Sequence, residues 1–195
     1  MENLELYLMG SVEVICGPMF AGKTEELIRR ARRMEYAHIK FLVFKPKLDD
    51  RYSKSSEVVS HNQTKFSCIL IEKSSDIYQY LHDGIKAIII DEAQFLDMGI
   101  VDVCDSLANK GLRVIVGGLD CDFKGKPFGP MPYLLAIADS VTKIQAICVK
   151  TGLPATKSQK LIDGKPASIN SDVVMVGSSE SYEPRCRKAH ELSEE

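Results

Sequence analysis

The chain has 195 residues, 45% hydrophobic and 27% charged, with 25 basic and 27 acidic side chains for a formal net charge of −2. That composition fits one domain plus an appendage around a proper core, and excludes disordered, collagen-like and low-complexity chains. The near-neutral balance supplies no global field toward nucleic acid or anionic lipid, so any bound polyanion has to be gripped locally.

Apolar, β-branched runs alternate with stretches of helical period, the pattern of a parallel α/β sheet. Residues 12–16 are predicted as a strand and residues 24–37 as an amphipathic helix carrying Leu27, Ile28, Ala31 and Met34 on one face. The next strand is expected at 39–45. Residues 46–56 are polar and rich in Ser, Lys and Asp, which predicts a mobile loop. A helix is expected at 74–82, a strand at 87–91, a helix near 97–110, a strand at 112–117 and a short helix around 133–139. The organisation this implies is an α/β core over residues 1–143 and a β-rich appendage over 144–195. Short strands are expected in that appendage at 144–149, 158–162 and 172–176.

The longest apolar stretches, such as Ala87-Ile88-Ile89-Ile90, stop far short of the ~20 residues of a membrane-spanning helix. The start, Met1-Glu2-Asn3-Leu4-Glu5, lacks the basic and apolar regions of a secretory signal, so a cytoplasmic protein without membrane contact is expected. Six cysteines (Cys16, Cys68, Cys104, Cys121, Cys148, Cys186) form no C-x-x-C pair and read mainly as small buried residues.

The most informative stretch is Gly17-Pro18-Met19-Phe20-Ala21-Gly22-Lys23-Thr24, a complete G-x-x-x-x-G-K-[ST] between a predicted strand and a predicted helix. Glycines let successive backbone N–H groups turn inward around phosphate oxygens, and the helix start adds partial positive charge. Lys23 reaches the outer phosphates and Thr24 can ligate Mg²⁺. A chance match in a chain this long occurs on the order of once in a hundred, and the flanking elements lower that further. Further on, an apolar strand ends in Asp91-Glu92. Alone, such a pair is usually only the polar end of a strand. Beside Lys23 and Thr24, Asp91 suits Mg²⁺, and Glu92 suits work on the nucleophile, a substrate hydroxyl or a water.

Five runs together resemble a known family: GPMFAGKTEELIRR (17–30), DDRYS (49–53), DEAQF (91–95), KPFGP (126–130) and SYEPRCR (181–187). They look like the cytosolic, zinc-carrying type II thymidine kinases, in that family's order and across nearly the whole chain. The resemblance implies a RecA-like phosphate-loop core with a parallel sheet and a small C-terminal β-rich lasso lobe of degenerate zinc-ribbon type. It implies transfer of the γ-phosphoryl of ATP to the 5′-hydroxyl of thymidine, and also to deoxyuridine, giving dTMP for nucleotide salvage. Glu92 is then the base, with Lys23 and Arg51 neutralising charge. ATP is held by residues 17–24 with Asp91 and Gln94, and Mg²⁺ by Thr24, Asp91 and Asp49. The nucleoside pocket takes Met19, Leu119, Phe123, Phe128, Ser158, Met175, Gly177 and Tyr182. Feedback inhibition by dTTP and a homotetramer follow from the same resemblance, and no nucleic-acid partner does.

The family's structural zinc is where this sequence departs. The two ligand pairs read Cys148-Val149-Lys150-Thr151 and Cys186-Arg187-Lys188-Ala189, so Thr151 and Ala189 stand where ligands are expected. Cys148 and Cys186 remain, and His190, one residue late, is a candidate third ligand. Since a closed structural site takes four ligands, a metal-free or weakly metallated lobe is expected. Ser158-Gln159-Lys160 stands where the family has Thr-x-Arg, keeping hydroxyl and charge but giving up the guanidinium fork; activity is expected to survive. Gly177-Ser178-Ser179 replaces a Gly-Gly turn. Two rival readings share these residues: an ATPase acting on nucleic acid, with Arg29, Arg30, Arg32 and Arg33 on phosphates, and a DNA-contacting module built on the Cys/His lobe. Thymidine-dependent ADP release separates the first rival from a kinase; a salt series of DNA binding exposes the second.

Overall fold

Near-continuous apolar runs build the centre of the molecule from strands that are buried on both faces. A computed structural model describes residues 9–47, 57–59, 65–173 and 180–194. In chain order these form β1 (Ser11–Cys16), α1 (Lys23–Tyr36), β2 (Phe41–Pro46), β3 (Glu57–Val59), β4 (Lys65–Ser67), β5 (Ile69–Ile71), a 3₁₀ helix (Ser74–Tyr80), β6 (Ala87–Ile90), α2 (Ile100–Asn109) and β7 (Arg113–Gly118). Then come α3 (Met131–Ile137), β8 (Ser140–Lys143), β9 (Ala146–Ile147), β10 (Pro154–Ala155), β11 (Lys157–Ile162), β12 (Lys165–Pro166) and β13 (Glu180–Arg185).

Among the described residues, six strands make one parallel sheet in the order β5-β2-β6-β7-β1-β8. Its central strands are near-continuously apolar because helices cover both faces. One face presents Val12, Val14, Cys16, Phe44, Ile88, Ile90, Val114 and Val116 to α2 and α3. The other presents Ile15, Val43, Ala87, Ile89 and Ile115 to Leu27, Ile28, Ala31 and Met34 of α1. Leu27, Ile28 and Met34 contribute about 2 kcal/mol each on burial. The chain that follows β8 forms two smaller sheets, β10-β9 and β12-β11-β13, both antiparallel.

The expected helix at 74–82 is instead a 3₁₀ helix. Ile77 is its single buried apolar side chain, so no apolar stripe enforces the α period, and Asp97 Oδ2 and Asp76 Oδ2 take the N–H groups at its start. β8 is absent from the expected strands because Ser-Val-Thr-Lys is exposed and polar, as an edge strand is. The strand expected at 144–149 shrinks to β9, because Ile144 N–H bonds Cys16 O while Cys148 N–H bonds Leu153 O. Asp172 and Val173 lie outside any strand, and 174–176 lie outside the described residues. Among the described residues, no helix is long and apolar enough to cross a membrane.

Candidate active site

Parallel strands all end on one edge of their sheet, so the turns after β6, β7 and β1 are neighbours there. The turn after β1 is the phosphate loop. Gly17 has φ of +146°, and a Cβ on it would lie 2.2 Å from the Ile144 carbonyl oxygen, so the loop leaves the sheet pressed against the chain that follows β8. Gly22, also left-handed, leads into α1, whose first residue is Lys23. Lys23 is buried, and its Nζ donates to the Pro18 carbonyl at 2.7 Å. Burial lowers its pKa, while Glu92, Asp91 and Asp120 oppose that and favour the ammonium.

The turn after β6 begins with Asp91, 3% exposed. Burial first, and the adjacent Glu92 carboxylate second, hold Asp91 well above the ordinary aspartate range. Its Oδ1 accepts the Glu92 N–H at 2.9 Å, and Glu92 itself takes a left-handed backbone, φ 54°. Gln94, buried in the following turn, donates from Nε2 to Glu92 Oε2 and accepts the Leu119 N–H at Oε1. The turn after β7 adds Leu119 and Asp120. Asp120 is buried and pairs with Lys143 Nζ at 2.8 Å, at the end of β8. Sequence reading passed over both partners, although Val-Ile-Val-Gly-Gly-Leu-Asp has the same form, an apolar strand ending in an acid, that marked Asp91.

The expected nucleoside residues divide into several groups. Met19 N–H donates to Ser158 Oγ at 2.9 Å, joining the phosphate loop to β11. Phe128 packs edge-on against Phe95, ring centroids 5.4 Å apart. Phe123 is buried, with Lys160 Nζ 5.3 Å and Lys124 Nζ 5.4 Å from its ring centroid. Lys160, fully buried, also donates to the Asp172 carbonyl at 3.0 Å. Tyr182 stands opposite Lys160 in the β11–β13 ladder. Met175, Gly177, Asp49 and Arg51 lie outside the described residues.

Thr24 and Asp91 offer a hydroxyl and a carboxylate, the hard oxygen donors that Mg²⁺ takes, and the crowded Asp91 carboxylate gains from a cation beside it; these residues fit. Zinc is different. Cys148 and Cys186 pack with Ala146, Ala155 and Ala189, and Thr151 Oγ1 lies 3.5 Å from Cys186 Sγ. Burial works against ionising Cys148, but the Thr151 hydroxyl and the backbone N–H groups of Cys186, Lys150 and Thr151 hold its thiol below the usual range. His190 Nε2 lies 2.8 Å from the Phe123 carbonyl, where it makes a hydrogen bond. Among the described residues, no group of three or more His, Cys, Asp or Glu is placed to hold a metal. Two thiols, a hydroxyl and a methyl do not fit a closed zinc site.

A phosphate loop opening a helix at the C-terminal edge of a parallel sheet, with acids ending the second strand over, defines a phosphate-loop nucleotide-binding protein. The thymidine kinase family profile matches residues 10–190, and this chain belongs to that family. It is 57% identical over 185 residues to the thymidine kinase of Onion yellows phytoplasma (strain OY-M) and 55% identical over 185 residues to that of Aster yellows witches'-broom phytoplasma (strain AYWB). Each alignment spans 95% of this chain and 88% of the relative. Among solved structures, the Legionella pneumophila ATPase DotB overlays with a TM-score of 0.41 at 11% identity, across 70% of this chain and 37% of its own.

Proposed function

We propose that this chain transfers the γ-phosphoryl of ATP to the 5′-hydroxyl of thymidine, with deoxyuridine as a second acceptor, giving dTMP for salvage. The observation that carries this reading is the grouping of Lys23, Asp91 and Glu92 at one sheet edge in a chain of the thymidine kinase family. Loop N–H groups within residues 17–24, Pro18 excepted, cradle the triphosphate, and Lys23 exchanges the Pro18 carbonyl for phosphate oxygens. Thr24 and Asp91 hold Mg²⁺, with Asp49; when bound, the ion neutralises triphosphate charge and orients it for in-line transfer. Glu92 takes the proton of the 5′-hydroxyl as its oxygen attacks, and Arg51 supplies a second cation to the charge that develops.

Met19, Leu119, Phe123, Phe128, Ser158 and Tyr182 enclose the base, completed by Met175 and Gly177. In this reading residues 1–143 are the nucleotide-binding core, and residues 144–195 are a lobe closing over the nucleoside. A cytoplasmic homotetramer restrained by dTTP completes the proposal. The test is a coupled assay of ADP formation with Mg-ATP, with and without thymidine. Thymidine-dependent turnover with one dTMP per ADP is expected; hydrolysis at the same rate without thymidine overturns the reading.

A further inference from the structure

Gln94 is 2% exposed, and both ends of its amide are committed to protein. Oε1 accepts the Leu119 N–H at 3.0 Å, and Nε2 donates to Glu92 Oε2 at 2.5 Å. Leu119 follows β7 and Glu92 follows β6, so one amide bridges the ends of two adjacent strands. The bridge depends on Gly118, where a Cβ would lie 2.8 Å from Gln94 Oε1 and 2.7 Å from Met131 Sδ. From the other side, Asp91 Oδ1 holds the Glu92 N–H in its left-handed conformation. Glu92 is thereby fixed at backbone and carboxylate alike.

A glutamate left to itself samples several rotamers, whereas a general base has to sit within hydrogen-bond reach of the proton it takes, and small displacements are costly. We propose that Gln94 is a positioning residue for phosphoryl transfer, aiming the Glu92 carboxylate at the acceptor hydroxyl from an anchor on Leu119. This deepens the function proposed above and rests on Glu92 being the base. It gives Gln94 a role other than the ATP contact expected from sequence, and it makes the base and one wall of the nucleoside pocket a single unit.

The test is steady-state kinetics on the full chain carrying Gln94→Met, which keeps the volume but neither hydrogen bond. The expected result is a 30- to 100-fold fall in kcat, with KM for ATP and for thymidine within threefold of the parent. Glu92→Asp, which withdraws the carboxylate by one methylene, completes a double-mutant cycle. Gln94→Met placed on Glu92→Asp is expected to cost less than threefold more, because the group that Gln94 aims has already moved. Parent-like kcat in Gln94→Met, a loss carried by KM, or losses that multiply in the double variant each overturn the positioning role. Should Gln94→Met be unfolded by circular dichroism, Gln94→Asn, with its shorter reach, carries the same expectations. Parent-like kcat in Glu92→Asp would instead overturn the base assignment, and so separates the two failures.

Discussion

Glu92 occupies a backbone conformation that non-glycine residues adopt rarely and at a cost, and neighbours on both sides keep it there. Such strain makes sense where direction matters more than stability. Glu92→Gln is expected to lower kcat by roughly 10²- to 10⁴-fold while leaving ATP affinity within about threefold, measured by single-turnover kinetics beside equilibrium titration of nucleotide. Turnover within tenfold of the parent would remove the carboxylate from the chemistry. Lys23, Thr24, Asp91 and Glu92 were legible in the sequence because each sits at a fixed offset from a glycine or a strand end. Asp120, Lys143 and the pair of hydrogen bonds made by the Gln94 amide were not. The partner of Asp120 lies 23 residues away, brought close because β7 and β8 flank β1, and the Leu119 anchor of Gln94 lies 25 residues away, brought close because β6 and β7 are neighbours.

The element most fully specified by its own sequence is α1. Its apolar stripe set its burial, and its bounds fall within one residue of those expected. Two of the four arginines that the rival reading places on nucleic-acid phosphates are bound to protein instead. Arg30 is bound to Glu13 of β1, to Glu26 and to Thr142 of β8, and Arg29 to Glu26. Arg113 of β7 joins the same Glu13, so the cluster fastens the helix to three strands of the sheet. The hydrogen bond from Arg29 first, then that from Arg30, outweigh burial and hold Glu26 at about 2 against an ordinary 4.5. A depressed carboxylate stabilises the fold fully above its unfolded pKa, and that stabilisation fades as pH falls from about 4.5 toward 2. Glu26→Gln is therefore expected to cost about 1 kcal/mol at pH 7, solvent screening of the half-exposed Arg29 keeping the figure small, and almost nothing near pH 2. Thermal melts of both proteins across that range check it; a difference independent of pH would mean that Glu26 acts by packing alone. Elements without a periodic apolar signal, β5, β8 and the 3₁₀ helix, are where sequence reading was weakest. Each is short, and β8 and the 3₁₀ helix place few side chains in the core.

Among the described residues, the chain after β8 is joined to the rest of the molecule by hydrogen bonds, Met19 N–H to Ser158 Oγ and Ile144 N–H to Cys16 O among them, with Ile144 also packed against the sheet. Its own apolar cluster is small: Ala146, Cys148, Ala155, Cys186 and Ala189, with Ala21 of the phosphate loop against it. Two turns fold around the cysteines, Gly152 N–H to Cys148 O and Ala189 N–H to Cys186 O, and both are closed by backbone hydrogen bonds alone. Prolonged treatment with a strong zinc chelator is expected to leave the melting midpoint within about 1 °C and thymidine-dependent turnover unchanged. A fall of about 5 °C or more would mean that bound metal contributes folding energy. That this region would be β-rich was legible from its turn residues; how it docks was not, because the docking contacts are single polar pairs between distant residues, such as His190 with Phe123 O.

One of those pairs reaches into kinetics. The Met19 N–H that bonds Ser158 belongs to the loop proposed to receive ATP, while Ser158 belongs to the strand proposed to face thymidine. A hydrogen bond between the two segments links the two proposed sites thermodynamically. Whatever free energy one substrate spends in shifting that bond is returned, in equal amount, as a change in the affinity for the other. On the proposed roles, this hydrogen bond is one route by which the two substrates affect each other's affinity, and Ser158→Ala is expected to weaken that mutual effect, read as the change in thymidine affinity on adding a non-hydrolysable ATP analogue.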